Sequence, residues 1–195
     1  SLPPATGERP DRKSAILLAA EKLFAQRGYH GVSIRQIAAE AGVPVALVGY
    51  YYGAKHELFH AIFAHWQPTI EARLALLREA VAQTRAQPAA LHRIVSAFVE
   101  PVLRMRASPE GEFYALLVSR ELLYVRDETD RVLREFFDPL AHTFIDALHT
   151  VRPQATRAQT AWAYQFALGA LLHHTSDRRV QRLARGANPP NDAAA

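Results

Sequence analysis

The chain has 195 residues, 49% of them apolar and 22% charged, with a formal net charge of +4 and no cysteine. Such a composition can bury a core, excludes a disulfide framework, a zinc-thiolate centre and a cysteine nucleophile, and fits a reducing, cytoplasmic setting. The positive excess is spread evenly: residues 1–60 hold seven Lys or Arg against five Asp or Glu, and residues 61–195 hold sixteen against fourteen. Charge alone therefore singles out no nucleic-acid-binding half.

The opening SLPPATGERPDRK lacks the apolar centre of a signal peptide, and no apolar run approaches the roughly 18 residues of a membrane span. Residues 1–10 read as a flexible basic arm, with Arg9 in it and Arg12 and Lys13 just after it available to touch an anionic partner, and no membrane partner is expected. Apolar residues then recur at helical spacing, beginning with Ile16, Ala20, Leu23 and Phe24, and no sustained alternation marks a strand. The expected fold class is all-α.

The first helix is placed at about 12–27, stopped by Gly28, which suits a left-handed cap. Ser33 and Gln36 form the Ser-x-x-Gln capping box that opens a second helix, with Val32 and Ile37 as its hydrophobic staple. Gly42 ends that helix near Ala41, and Pro44 opens a third that ends at Gly53. Two short helices joined by a tight Gly-containing turn are the helix-turn-helix pattern. In the third helix Val48 and Tyr52 lie four residues apart and share an inward face. Val45, Ala46, Leu47, Gly49, Tyr50 and Tyr51 are left outward or at the edges, a surface with little charge that carries phenolic hydroxyls.

Longer helices follow at about 55–84, 88–106, 111–125, 128–150 and 155–176, broken at Gln87-Pro88, Ser108-Pro109 and Arg152-Pro153. Pro68, Pro101 and Pro139 fall inside these helices, where a kink or a short extra break is expected. The boundaries are thus an arm at 1–10, a three-helix domain at 11–54, a larger helical domain at 55–185, and a disordered tail at 186–195.

The run SIRQIAAEAGVPVALVGYYYGAKHELF resembles the DNA-binding region of the TetR/AcrR family of one-component bacterial regulators, over about residues 12–60. The remainder is similar only in the number and length of its helices. The resemblance implies double-stranded operator DNA, a second copy of the chain and a small-molecule effector as partners, with no cofactor and no catalysis. It implies that Ser33 and Lys55 touch phosphates, that Tyr51 touches backbone, and that Val45, Ala46, Leu47 and Tyr50 face base edges. Pro44 stands where the family commonly has Ser, Ala46 where it has Gly, Leu47 where it has Thr, and Gly49 where it has Tyr, so polar reach is lost. Apolar contact and DNA shape are expected to carry more of the readout, with Arg35 supplying one polar contact.

The apolar stripes Val132 to Leu148 and Ala161 to Leu172, with Gly169 and Ala170 allowing close approach, point to a homodimer in which these helices meet their copies. The cavity candidates of the middle helices are Phe63, Trp66, Phe98, Phe113, Leu117, Tyr124 and Phe137. Arg120 is added because it falls on the stripe Phe113, Leu116, Leu117, Leu123, Tyr124, where a guanidinium needs a partner: an internal Glu100 or Glu71, or the carboxylate of an effector.

His56 and His60 are spaced for a metal, yet they lack an intervening Glu and no Cys is present, so a solvated or DNA-facing helix start is preferred. No phosphate loop, nucleophile elbow or carboxylate pair supports an enzyme. The rivals are a helical-bundle enzyme or carrier with no DNA-facing surface, and a constitutive DNA binder with no internal cavity.

Overall fold

The computed structural model describes residues 11–83, 87–109, 111–123, 127–176, 179–183 and 185. Among them helix is the regular structure throughout, and two compact units divide the chain at Ile62 and Phe63. The arm with Arg9, the tail at 186–195 and Tyr124 lie outside the described residues.

In the first unit α1 (Arg12–Arg27), α2 (Ile34–Ala41) and α3 (Val45–Tyr52) pack on one another. Asp11 starts α1 by accepting from the Lys13 amide, and Gly28 ends it at φ 75°. The capping box forms as its residues dictate: Ser33 Oγ accepts from the Gln36 amide at 3.3 Å, and Gln36 Oε1 accepts from the Ser33 amide at 2.8 Å. Val32 and Ile37 beneath it are buried. Gly42 sits at φ 66°, ψ 34°. The Val43 amide reaches Ala38 O and the Gly42 amide reaches Ala39 O, so the last carbonyls of α2 are satisfied by a Schellman turn. Pro44 stands immediately before α3, one residue earlier than expected, and Gly53 closes it at φ 72°.

The boundary falls at Ile62 and not at residue 54 because the first turns of α4 (Lys55–Ala82) bury Leu58, Phe59 and Ile62. The Phe59 ring meets Phe24 edge-on at 5.4 Å and Tyr29 at 5.1 Å.

The second unit contains the rest of α4, then α5 (Gln87–Ala107), α6 (Glu112–Leu123), α7 (Asp127–Val132), a π-helical turn at Leu133–Phe137, α8 (Asp138–Val151), α9 (Arg157–Ser176) and the short α10 (Val180–Leu183). Leu77, Ile94, Phe98, Phe144, Leu148 and Leu171 knit α4, α5, α8 and α9 into one core. Helices α4 and α5 continue through Pro68 and Pro101. The expected helix at 128–150 runs without a break through α7, the π-helical turn and α8, and the π-helical turn falls immediately before Pro139, where the proline disturbs the regular ladder.

Candidate nucleic-acid interface and effector cavity

In the first unit, α3 buries Val48 completely and leaves Val45 46% and Tyr50 79% exposed, with Ala46 and Gly49 also outward. Leu47 and Tyr51 are half-buried at its edges. The face carries no charge, and its polar atoms are the phenol groups; the rings of Tyr50 and Tyr51 meet edge-to-face at 5.1 Å. Tyr52 is half-buried and ties α3 to α1 by donating from its hydroxyl to Lys13 O at 2.9 Å. Burial first, and the charge of Asp11 second, push its pKa up to about 12.

Arg35 is exposed on α2, with no ion-pair partner among the described residues. The Ser33 hydroxyl is engaged in the cap, and also donates to Gln36 Oε1 at 3.1 Å. Lys55, at the first residue of α4, lies half-buried with its ammonium 4.3 Å from the Tyr29 ring centroid and 6.0 Å from that of Phe24. Tyr29 thus positions this lysine, a role invisible in the linear pattern because the two residues meet only once α1 and α4 have packed. Arg12 and Lys13 belong to α1 and not to the arm. His56 pairs with Glu57 at 3.0 Å.

The model family described as "Bacterial regulatory proteins, tetR family" matches residues 16–62, and "Tetracyclin repressor-like, C-terminal domain" matches residues 96–195. The chain belongs to the tetR family. The HTH-type transcriptional regulator BetI of Brucella anthropi is 30% identical over 202 residues, spanning 98% of this chain and 91% of its own. The hemolysin II transcriptional regulator HlyIIR shares the fold at a TM-score of 0.65 and 21% identity, covering 87% of this chain and 90% of that one. AibR, solved with isovaleryl coenzyme A and operator DNA, does so at 0.62 and 19%, covering 94% and 93%. This tetR-family chain is therefore a DNA-binding transcriptional regulator, and its relatives are regulators, not enzymes.

The second unit of this family member encloses a cavity of about 60 Å³, walled by Ile70, Phe98, Val102, Met105, Tyr114, Phe137, Leu140, Tyr164 and Leu168 among others, with Arg73 in the wall. Of the residues expected there, Phe98 and Phe137 line it. Phe63 and Trp66 stand behind: Trp66 stacks on Tyr114 at 4.9 Å, and Phe63 meets Tyr114 at 5.8 Å and Phe137 at 6.1 Å. Phe113 is half-buried and Leu117 fully buried, both away from the wall.

Arg120 is exposed, which corrects the expectation of a partly buried guanidinium. Helix α6 turns Tyr114, Leu117 and Glu121 inward, so Arg120 lies with Leu116, 40% exposed, and Leu123, 55% exposed, on the opposite side. The period was right and the face was wrong. The suggested internal partners are also otherwise engaged, Glu100 with Arg104 at 2.8 Å and Glu71 with Gln67 at 3.2 Å.

The buried cation is Arg73, 8% exposed. Its Nη2 donates to Phe98 O at 3.0 Å, and its guanidinium lies 5.1 Å from the Phe98 ring centroid. Burial lowers its pKa to about 10 despite the opposing influence of Tyr164 and Tyr114, so it stays charged at neutral pH. Burial raises the pKa of Tyr164. A signal for Arg73 does exist in the sequence: Phe63, Trp66, Ile70, Arg73, Leu77 and Ala80 follow a three-four spacing with arginine at an apolar position.

Proposed function

We propose that the chain is a homodimeric repressor that holds an operator through its first unit and is released when a small, largely apolar effector occupies the cavity of the second. The observation that carries the DNA reading is the orientation of α3, which buries Val48 and turns Val45, Ala46 and Tyr50 outward. Val45, Ala46 and Leu47 would meet thymine methyls while Tyr50 and Arg35 supply polar contacts, so DNA shape contributes much of the discrimination. Ser33, Tyr51 and Lys55 would hold phosphates and set the register.

The dimer reading rests on α9, where Trp162 and Phe166 are 63% and 71% exposed and stack at 5.8 Å. Two large apolar rings side by side on a helix surface suit a partner surface. The stripe of α8 supports the interface less, because Phe144 and Leu148 serve the core of the chain itself. A second copy would place two recognition helices about 34–36 Å apart, or a multiple of that, to read successive major grooves. The cavity supports an effector over a constitutive binder. An effector acts by binding the released conformation better than the operator-bound one.

The test is fluorescence anisotropy on a duplex selected from a random pool, in rising salt, alongside light-scattering mass. Wild type is expected to bind as a dimer with a steep salt dependence. Lys55→Met should lower the salt slope by roughly one per subunit, and Trp162→Glu should halve the mass and weaken binding. Wild type that stays a single chain, or binds no selected duplex, overturns the reading.

A further inference from the structure

We propose that the cavity of the second unit receives an anionic head group, a carboxylate in its simplest form, on the guanidinium of Arg73, with the apolar wall taking a short hydrocarbon part. This rests on the reading that the second unit admits a small-molecule effector, and it names that effector's chemical class.

Arg73 is more than nine-tenths buried, and its Nε has no hydrogen-bond partner. A guanidinium offers five donors, of which one reaches a protein acceptor, the carbonyl of Phe98. No carboxylate forms an ion pair with Arg73 among the described residues. The Phe98 ring and carbonyl present partial negative charge to the cation, but neither is a counter-ion. A full charge held in low dielectric without one is costly, and a protein interior ordinarily avoids it.

The surroundings suit an amphipathic anion. Arginine's planar fork matches a carboxylate better than a lysine ammonium does. Tyr114 and Tyr164 stand on the same wall and offer phenol groups to a second carboxylate oxygen. Val102, Leu140 and Leu168 offer no polar side-chain atom, and the hydroxyls of Thr69 and Ser119 on the same wall donate to the carbonyls of Trp66 and Ala115, so a hydrocarbon remainder suits the wall. The present cavity of about 60 Å³ is well below the roughly 300–1,000 Å³ of a typical small-molecule pocket. A longer chain must therefore push wall side chains aside, Met105 being the most adaptable of them. That displacement is the differential contact a ligand needs in order to shift a conformational equilibrium.

The experiment is isothermal calorimetry on the full chain with hexanoate and the uncharged hexanamide, using wild type, Arg73→Lys and Arg73→Met. The expected result is that wild type binds hexanoate roughly 10- to 100-fold more tightly than hexanamide, the range of a charge-assisted hydrogen bond. Arg73→Lys should keep part of the preference, and Arg73→Met should lose it while still binding hexanamide. Equal binding of the two compounds by wild type, or a preference that survives in Arg73→Met, overturns the anionic site and leaves an apolar effector cavity standing. Binding of neither compound by folded wild type removes this site while duplex binding still tests the DNA reading separately. If Arg73→Met does not fold, as read by circular dichroism, the acid-to-amide ratio in wild type and Arg73→Lys decides.

Discussion

Lys55 in the first unit and Arg73 in the second both present a cation to an aromatic ring, at 4.3 and 5.1 Å from the centroid, yet one is half-buried and the other almost sealed. Helix α4 carries both. A cation that keeps water nearby gains modestly from a ring face and stays available to a phosphate. One enclosed in an apolar wall loses hydration that the ring does not replace, and its pKa falls to about 10. The same pair of groups is thus half-solvated in one place and dehydrated in the other, which is why the proposed phosphate contact falls to Lys55 and the proposed anion site to Arg73.

The largest expected effect tests whether the aromatic cluster under Lys55 is structural. Phe24 is fully buried and touches both Tyr29 and Phe59, so Phe24→Ala should destabilise the first unit by about 3–5 kcal/mol. Urea unfolding followed by circular dichroism should show that loss, and duplex binding should fall with it. A midpoint shifted by less than a third of that amount would mean that the cluster is not the core.

Arg73→Met should act in the opposite direction, since an apolar side chain of similar length replaces a buried charge; the outcome is neutral to stabilising, up to about 1–4 kcal/mol. The burial penalty is present below pH 10 and is relieved as pH rises through the folded pKa of about 10, so the gain from Met should shrink across that window. Marked destabilisation in thermal melts would show instead that the Phe98 carbonyl bond and ring contact fully compensate the charge.

The smallest effect concerns Tyr52. Its pKa is raised to about 12, so the fold favours the protonated phenol. That contribution is whole below about pH 10, the ordinary tyrosine range, and is lost as pH rises from there through 12. Ultraviolet titration should find late phenols from Tyr52 and Tyr164, and the Tyr52 component should disappear in Tyr52→Phe while that of Tyr164 remains. An unchanged titration in that variant would remove the link between α3 and α1.

The caps and glycine stops of the first unit were legible residue by residue, because Ser33, Gln36, Gly42 and Gly53 act on backbone groups within a few positions of themselves. The outward set on α3 followed from its period of 3.6 once Val48 was placed inward. The cavity was less legible: Phe98 and Phe137 line it, whereas Phe63, Trp66, Phe113 and Leu117 are core or backing, since apolarity signals burial and does not say which buried atoms face a gap. Arg120 and Arg73 show the limit most clearly. Each follows apolar neighbours at helical spacing, and only the packing of α6 against its neighbours turned Arg120 to solvent while the packing of α4 and α5 sealed Arg73.

By itself, then, the sequence determined the helices, the caps of the first unit and the outward residues of α3, all consequences of hydrogen bonds and periodicities spanning four residues or fewer, while the family was legible through the resemblance of one run of residues. Which guanidinium is enclosed, what Lys55 rests on, and where the void lies were decided by tertiary structure, because each depends on side chains from helices far apart in the chain competing for the same space and the same dehydration.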